Sequence, residues 1–134
     1  MNRGDAMTTV EILMVLAILA VLAGLAFHFA PTSTGFARTY AAGIVGARLR
    51  SATTGGYVAV GRGSCDLATD RVVPDPAPAK VVAFPVRGLL FTPDGLPRTC
   101  DGGGVGNTTI LLEHRGRQAA VIVSSLGRVR WEPR

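Results

Sequence analysis

Residues 12–27 carry no polar side chain, and one carboxylate, Glu11, stands at the head of this run. Counted from Met7 to Ala30, the apolar segment has 24 residues. As an α-helix it would be about 36 Å long, enough to cross a hydrocarbon layer of about 30 Å. Three readings fit. A cleaved secretory signal could use Gly24-Leu25-Ala26 as its small-x-small exit, but Glu11 sits badly inside such a signal. A plain membrane anchor tolerates Glu11 only if the side chain reaches the interface, since an ionised carboxylate at the bilayer centre costs about 3 kcal/mol even on lenient scales. In the third reading Glu11 is kept because something pairs with it.

The chain has 134 residues, so roughly a hundred remain for a core, one small domain near the lower end of self-sufficiency. From residue 31 onward there are 13 basic residues against 7 acidic. That balance favours anionic partners, nucleic acid or lipid headgroups, although Arg-rich coding composition produces it too. Cys65 and Cys100 are the only cysteines, His28 and His114 the only histidines, and their spacing matches no metal site. If the domain lies outside the cytoplasm, a Cys65–Cys100 disulfide is expected, contributing about 3–4 kcal/mol in the chain-entropy model. The alternative is two unrelated buried thiols.

After a break at "PTSTG" (31–35), where Pro31 removes a donor and a Thr or Ser can cap a restart, helical spacing returns. Phe36, Tyr40, Ile44 and Ala47 make one stripe, widened by Ala41, Val45, Leu49 and Ala52, with Arg38, Arg48 and Arg50 off it. Gly43 and Gly46 each weaken this helix by about 1 kcal/mol unless something packs closely there. Gly55-Gly56 ends it. The period then changes to two, predicting strands at 57–62, 80–84, 88–92, 108–114, 118–124 and 128–131. The expected class is α+β, with the helix covering one face of a sheet of consecutive antiparallel strands. The segments are 7–30, 31–54 and 55–134, preceded by residues 1–6.

Little here suggests catalysis. The glycine loop "CDGGGVGN" (100–107) lacks the Lys-Ser/Thr of a phosphate loop and reads as a mobile connection. Asp66, Asp70, Asp94 and Asp101 fit no calcium loop and read as solvated turn carboxylates. His114, beside a turn, reads as exposed. No nucleophile–base grouping can be argued, so no enzyme activity, metal or cofactor is expected. "SSLGRVRW" is more informative: in a strand, Arg128 and Arg130 face one way, Val129 and Trp131 the other. Two guanidiniums about 7 Å apart match successive phosphates of a nucleic-acid strand. A solvated strand face is the plainer alternative. Arg115 and Arg117 flank the preceding turn, and Arg134 follows.

"AMTTVEILMVLAILAVLAGLA" resembles the N-terminus of type IV pilins and pseudopilins. The resemblance implies a leader of residues 1–6, cleavage by a prepilin peptidase between Ala6 and Met7, and N-methylation of Met7. Glu11 then becomes the fifth mature residue, with Thr8 where the family has Thr. Ala6 stands where Gly is usual and Met7 where Phe is usual. In the family, the carboxylate at Glu11 meets the N-terminal amine of a neighbouring subunit and sets filament register. "FTPDGLPR", "TTILLEHRGRQAAVIVSSLGRVR" and "GARLRSATTGGYVAV" are similar to segments of the GspH/FimT minor pseudopilins. One branch is linked to DNA binding in natural transformation through Gly127, Arg128 and Arg130. The other serves near the tip of a type II secretion pseudopilus. The implied partners are other pilin subunits, the prepilin peptidase, the inner membrane and, in one branch, DNA. The implied location is a single-pass inner-membrane protein with an extracytoplasmic domain, joining a periplasmic or extracellular filament.

Overall fold

The computed structural model describes residues 8–28 and 35–134. The expected leader (1–6), the expected cleavage junction at Ala6/Met7 and the expected break at 31–34 lie outside the described residues. Two compact units emerge, one holding helix α1 (Thr9–His28) and the other starting at helix α2 (Gly35–Thr54).

α1 is a continuous helix of 20 residues, about 30 Å long. None of its Thr9–Ala26 stretch is buried, and it is long and apolar enough to cross a membrane. Leaving so many Leu, Ile and Val side chains in water opposes the burial of roughly 1.5–3 kcal/mol that each could gain in lipid or against other helices.

In the second unit, α2 is followed by β1 (Val58–Val60), β2 (Asp70–Val72), β3 (Lys80–Ala83), β4 (Leu89–Phe91), β5 (Pro97–Arg98), β6 (Thr108–His114), β7 (Arg117–Val123) and β8 (Val129–Pro133). The class is α+β. The strands do not form the expected single sheet of consecutive antiparallel neighbours. They form two four-stranded sheets, ordered β2-β1-β4-β5 and β3-β6-β7-β8, and β2 runs parallel to β1. β2 and β5 were not predicted. Both are short, and β2 is half-buried throughout, so neither shows an apolar alternation. The turn between β1 and β2 is tied by the Arg71 guanidinium, which donates to the Gly61 carbonyl at 2.6 Å.

α2 packs on both sheets over one core. Phe36, Tyr40, Ile44 and Ala47 meet Val58, Val60, Leu89 and Phe91 of the smaller sheet and Ile110, Leu112, Val121 and Val123 of the larger. The predicted stripe is therefore the buried one, and Ala41 joins it. Val45 and Leu49 do not: they are 39% and 60% exposed. The helix seats only its narrow face in the cleft between the sheets. Gly43 is where the proline loop crosses the helix, since a Cβ there would lie 2.8 Å from Pro74 Cβ; nothing lies within 4 Å of Gly46.

β1 and β4 are buried on both faces. Their alternate residues Ala59 and Leu90 form a second small core with Cys65 and Cys100, whose sulfurs are bonded across 35 residues. This bridge closes the outer face of the small sheet. Gly88 gives it room, because a Cβ there would meet Cys100 Sγ at 2.5 Å.

Candidate functional site

Two places collect the residues singled out by the sequence. The first is the head of α1. Thr8 precedes the first helical residue, and its N–H donates to Glu11 Oε2 at 2.8 Å. The Thr8 hydroxyl also donates to that oxygen at 3.1 Å, while the Glu11 N–H donates to Thr8 Oγ1 at 3.3 Å. This reciprocal pattern, Thr-x-x-Glu, is a capping box that satisfies two of the helix's orphan donors. It also places the carboxylate at the positive end of the helix dipole. Sequence reasoning sought a partner for Glu11 only in a neighbouring chain. The structure supplies a local one, legible in hindsight from the spacing of three residues between Thr8 and Glu11.

The second place is the turn between β7 and β8. The Gly127 N–H donates to the Ser124 carbonyl at 2.9 Å, and the Ser124 N–H donates to the Arg128 carbonyl at 2.9 Å. Arg128 thus sits at the turn's exit, and β8 begins at Val129. Opposite Arg130 lies Ile122, and opposite Trp131 lies Val121. Because side chains alternate along a strand, Arg128 and Arg130 share the outer face while Val129 and Trp131 share the helix-facing one. Both arginines are exposed, Val129 packs on the core, and Trp131 is 39% exposed.

Arg128 and Arg130 line a groove of about 710 Å³ with Arg48, Asn107, Ser124 and Leu126. No carboxylate lines it. Arg48 was expected off the packed stripe. It does lie off that stripe, and its side chain passes between two glycine turns, at Gly95 and Gly127, where Nη1 donates to the Gly127 carbonyl at 3.0 Å. Both glycines have positive φ, 75° and 81°. A Cβ on Gly127 would lie 2.6 Å from the Gly95 carbonyl oxygen and 3.1 Å from Arg48 Nε. The "PDG" and "SLG" turns, far apart in sequence, are thereby joined through one guanidinium.

Arg115 and Arg117 do not join this groove. They lie at the opposite end of β7, about 20 Å from the Arg128 turn at ~3.3 Å per residue. His114, expected to be exposed, is half-buried. Its ring meets that of Phe36 edge-on with centroids 6.0 Å apart.

Two of the four aspartates are not free turn carboxylates. Asp70 pairs with Arg50 at 2.5 Å. Asp101 accepts from the Thr99 hydroxyl and from Arg87, and also from the Gly103 N–H at 3.2 Å. The Thr99 hydrogen bond first, then Arg87, holds the Asp101 carboxyl down at about 2. The glycine loop is thus pinned at its start rather than loose. Among the described residues, no three His, Cys, Asp or Glu side chains converge to hold a metal ion.

No protein-family model, curated protein or solved structure matches this chain.

Proposed function

We propose that this chain is a non-catalytic minor pilin-like subunit. A prepilin peptidase removes residues 1–6 and methylates Met7, α1 holds the protein in the inner membrane, and the subunit assembles into a type IV pilus or a type II secretion pseudopilus. The observation that carries the reading is an apolar helix with no buried residue in its Thr9–Ala26 stretch and one carboxylate held at its N-terminal end. In filament packing, burial of α1 among neighbouring α1 helices supplies the driving force. The Glu11 carboxylate, poised at the helix head, pairs with the amine of an adjacent Met7. In low dielectric each member of such a pair is costly alone, so the pair fixes register.

Glu11 has two separable roles here, and two variants distinguish them. Glu11→Gln preserves the capping box and removes the charge; Glu11→Ala removes both. Both variants are expected to insert in the membrane and to be recovered at least tenfold less in sheared filaments than the parent chain. Recovery of Glu11→Gln at the parent level would reduce Glu11 to a helix cap and sink the register proposal.

A second reading concerns the groove. Two exposed guanidiniums on one strand face, in a groove whose lining holds no carboxylate, suit the phosphates of DNA, with Glu132 following on the same face. Titration of the detergent-solubilised chain with DNA at several salt concentrations is expected to give a log–log slope near about −2 for two neutralised phosphates. Binding should be lost in Arg128→Gln/Arg130→Gln. Indifference to that double change leaves a secretion-tip subunit with no DNA role.

A further inference from the structure

Arg115, Arg117 and Arg134 gather at the other end of the large sheet, and neither site above uses them. Arg115 and Gly116 form the two-residue turn between β6 and β7. The Arg134 N–H donates to the Gln118 carbonyl at 2.9 Å, next to Arg117. All three arginines are exposed. The ion pairs among the described residues, Arg50–Asp70 and Arg87–Asp101, involve none of them. Of the carboxylates on these strands, Glu113 lies opposite Lys80 and accepts from the Gln118 amide at 3.3 Å. Glu132 stands across from Ala120, two residues before Arg134 and about 7 Å from it on the same strand face, so it offsets part of that arginine's charge and leaves Arg115 and Arg117 as the principal cations.

Two details give this end a direction and a use. The His114–Phe36 contact at 6.0 Å fixes the turn beside the first residues of α2. α2 begins seven residues after α1 ends, an extended span of at most about 25 Å. In addition, Arg115 is the one non-glycine described residue with positive φ, 52°. A two-residue turn of this hand favours Asn or Gly, and a bulky residue there is strained by about 1 kcal/mol or more. A long cation held in a conformation that suits a smaller residue points to something the cation does.

We propose that Arg115 and Arg117, with Arg134 beside them, bind the phosphates of an anionic lipid surface, holding the domain against the bilayer before assembly. The inference rests on the reading that α1 crosses a membrane. Arginine suits the ligand, because its planar fork donates two parallel hydrogen bonds to a phosphate. Exposed charges act within a Debye length of about 8 Å, so the proposed contact requires these arginines to lie at the headgroups, which a link of this length permits. Nucleic acid has no comparable tether at this end.

The test uses the full chain in nanodiscs of phosphatidylcholine alone or mixed with phosphatidylglycerol. A dicarbonyl reagent modifies accessible arginines, and mass spectrometry reads each site. Modification of Arg115 and Arg117 is expected to slow about fivefold in the anionic discs and to recover in about 0.5 M NaCl. Arg128 and Arg130, at the far end of the sheet, should change less than about twofold. In Arg115→Gln/Arg117→Gln the protection of Arg134 should disappear. Equal rates in the two lipids overturn the proposal, as does protection by added DNA and not by anionic lipid. A chain that leaves the discs on an alkaline wash overturns the membrane reading with it. A chain that stays embedded with unprotected arginines overturns the lipid contact alone.

Discussion

At the scale of single residues, two glycines three positions apart on α2 have opposite meanings. Gly46 is exposed with open space around it, so Gly46→Ala removes a helix-breaking residue at no steric cost. It is expected to stabilise the domain by about 0.5–1 kcal/mol, a rise in Tm of roughly 2–8 °C, measurable by circular dichroism. Gly43→Ala gains the same propensity but drives its Cβ to 2.8 Å from Pro74, a contact that must displace the proline loop. It is expected to lower Tm. The sequence shows both glycines and their propensity cost but not the partner, because Pro74 arrives from 31 residues away. Asp101 shows a similar limit. Its carboxyl is held at about 2, against an ordinary 3.8, by Thr99 and Arg87. A depressed carboxyl contributes stability that is present above 3.8 and lost as pH falls through about 2. An NMR titration of Asp101 should find its midpoint near 2, and Asp101→Asn should remove this part of the acid dependence. A normal midpoint would break the proposed loop pinning.

At the scale of elements, the long apolar or alternating segments were legible and the short or mixed ones were not. β6, observed at 108–114, and the strand expected at 118–124 and observed at 117–123, were legible because one shows a buried alternation and the other a run of five apolar residues. β2 and β5 have three and two residues and were missed. The split into two sheets was equally invisible, since it depends on which strand edges α2 leaves adjacent. The chemistry of the turns at Gly95 and Gly127 was readable. Their convergence on Arg48 was not, because an arginine off the main stripe looks the same whether it enters solvent or a slot between two turns. The cysteines lie between these cases: two half-cystines in a 134-residue chain suggest a bridge, and its place on the outer face of the small sheet gives it a second role as the lid of a small core. Cys65→Ala/Cys100→Ala is expected to cost about 3–4 kcal/mol for a loop of 35 residues. The loss should appear in urea unfolding as a lower midpoint, with exchange protection falling first at Ala59 and Leu90. A double variant as stable as the parent would remove the bridge from the account of this fold.

At the scale of the whole molecule, every buried core residue among the described residues lies between Phe36 and Val123. The α+β unit has its own helix, two sheets and a covalent bridge, with no buried side-chain polar atom left unpartnered among the described residues. α1 has the reverse character, a run of apolar surface far beyond the few hundred Å² that a soluble monomer exposes. On the proposed reading, function divides along the chain, with association through α1 and display or contact through the domain. This division makes a demanding prediction about a truncated chain that begins at Ser33. Because nothing in its core is removed, it should stay monomeric without detergent and unfold cooperatively within about 2 °C of the domain transition in the detergent-bound full chain, as expected for sites that do not share partners. The full chain should aggregate once detergent is withdrawn, because its apolar helix then has only other copies to cover it. A large drop in Tm on truncation would mean that α1 supports the domain directly, and the separation of anchoring from display would have to be abandoned.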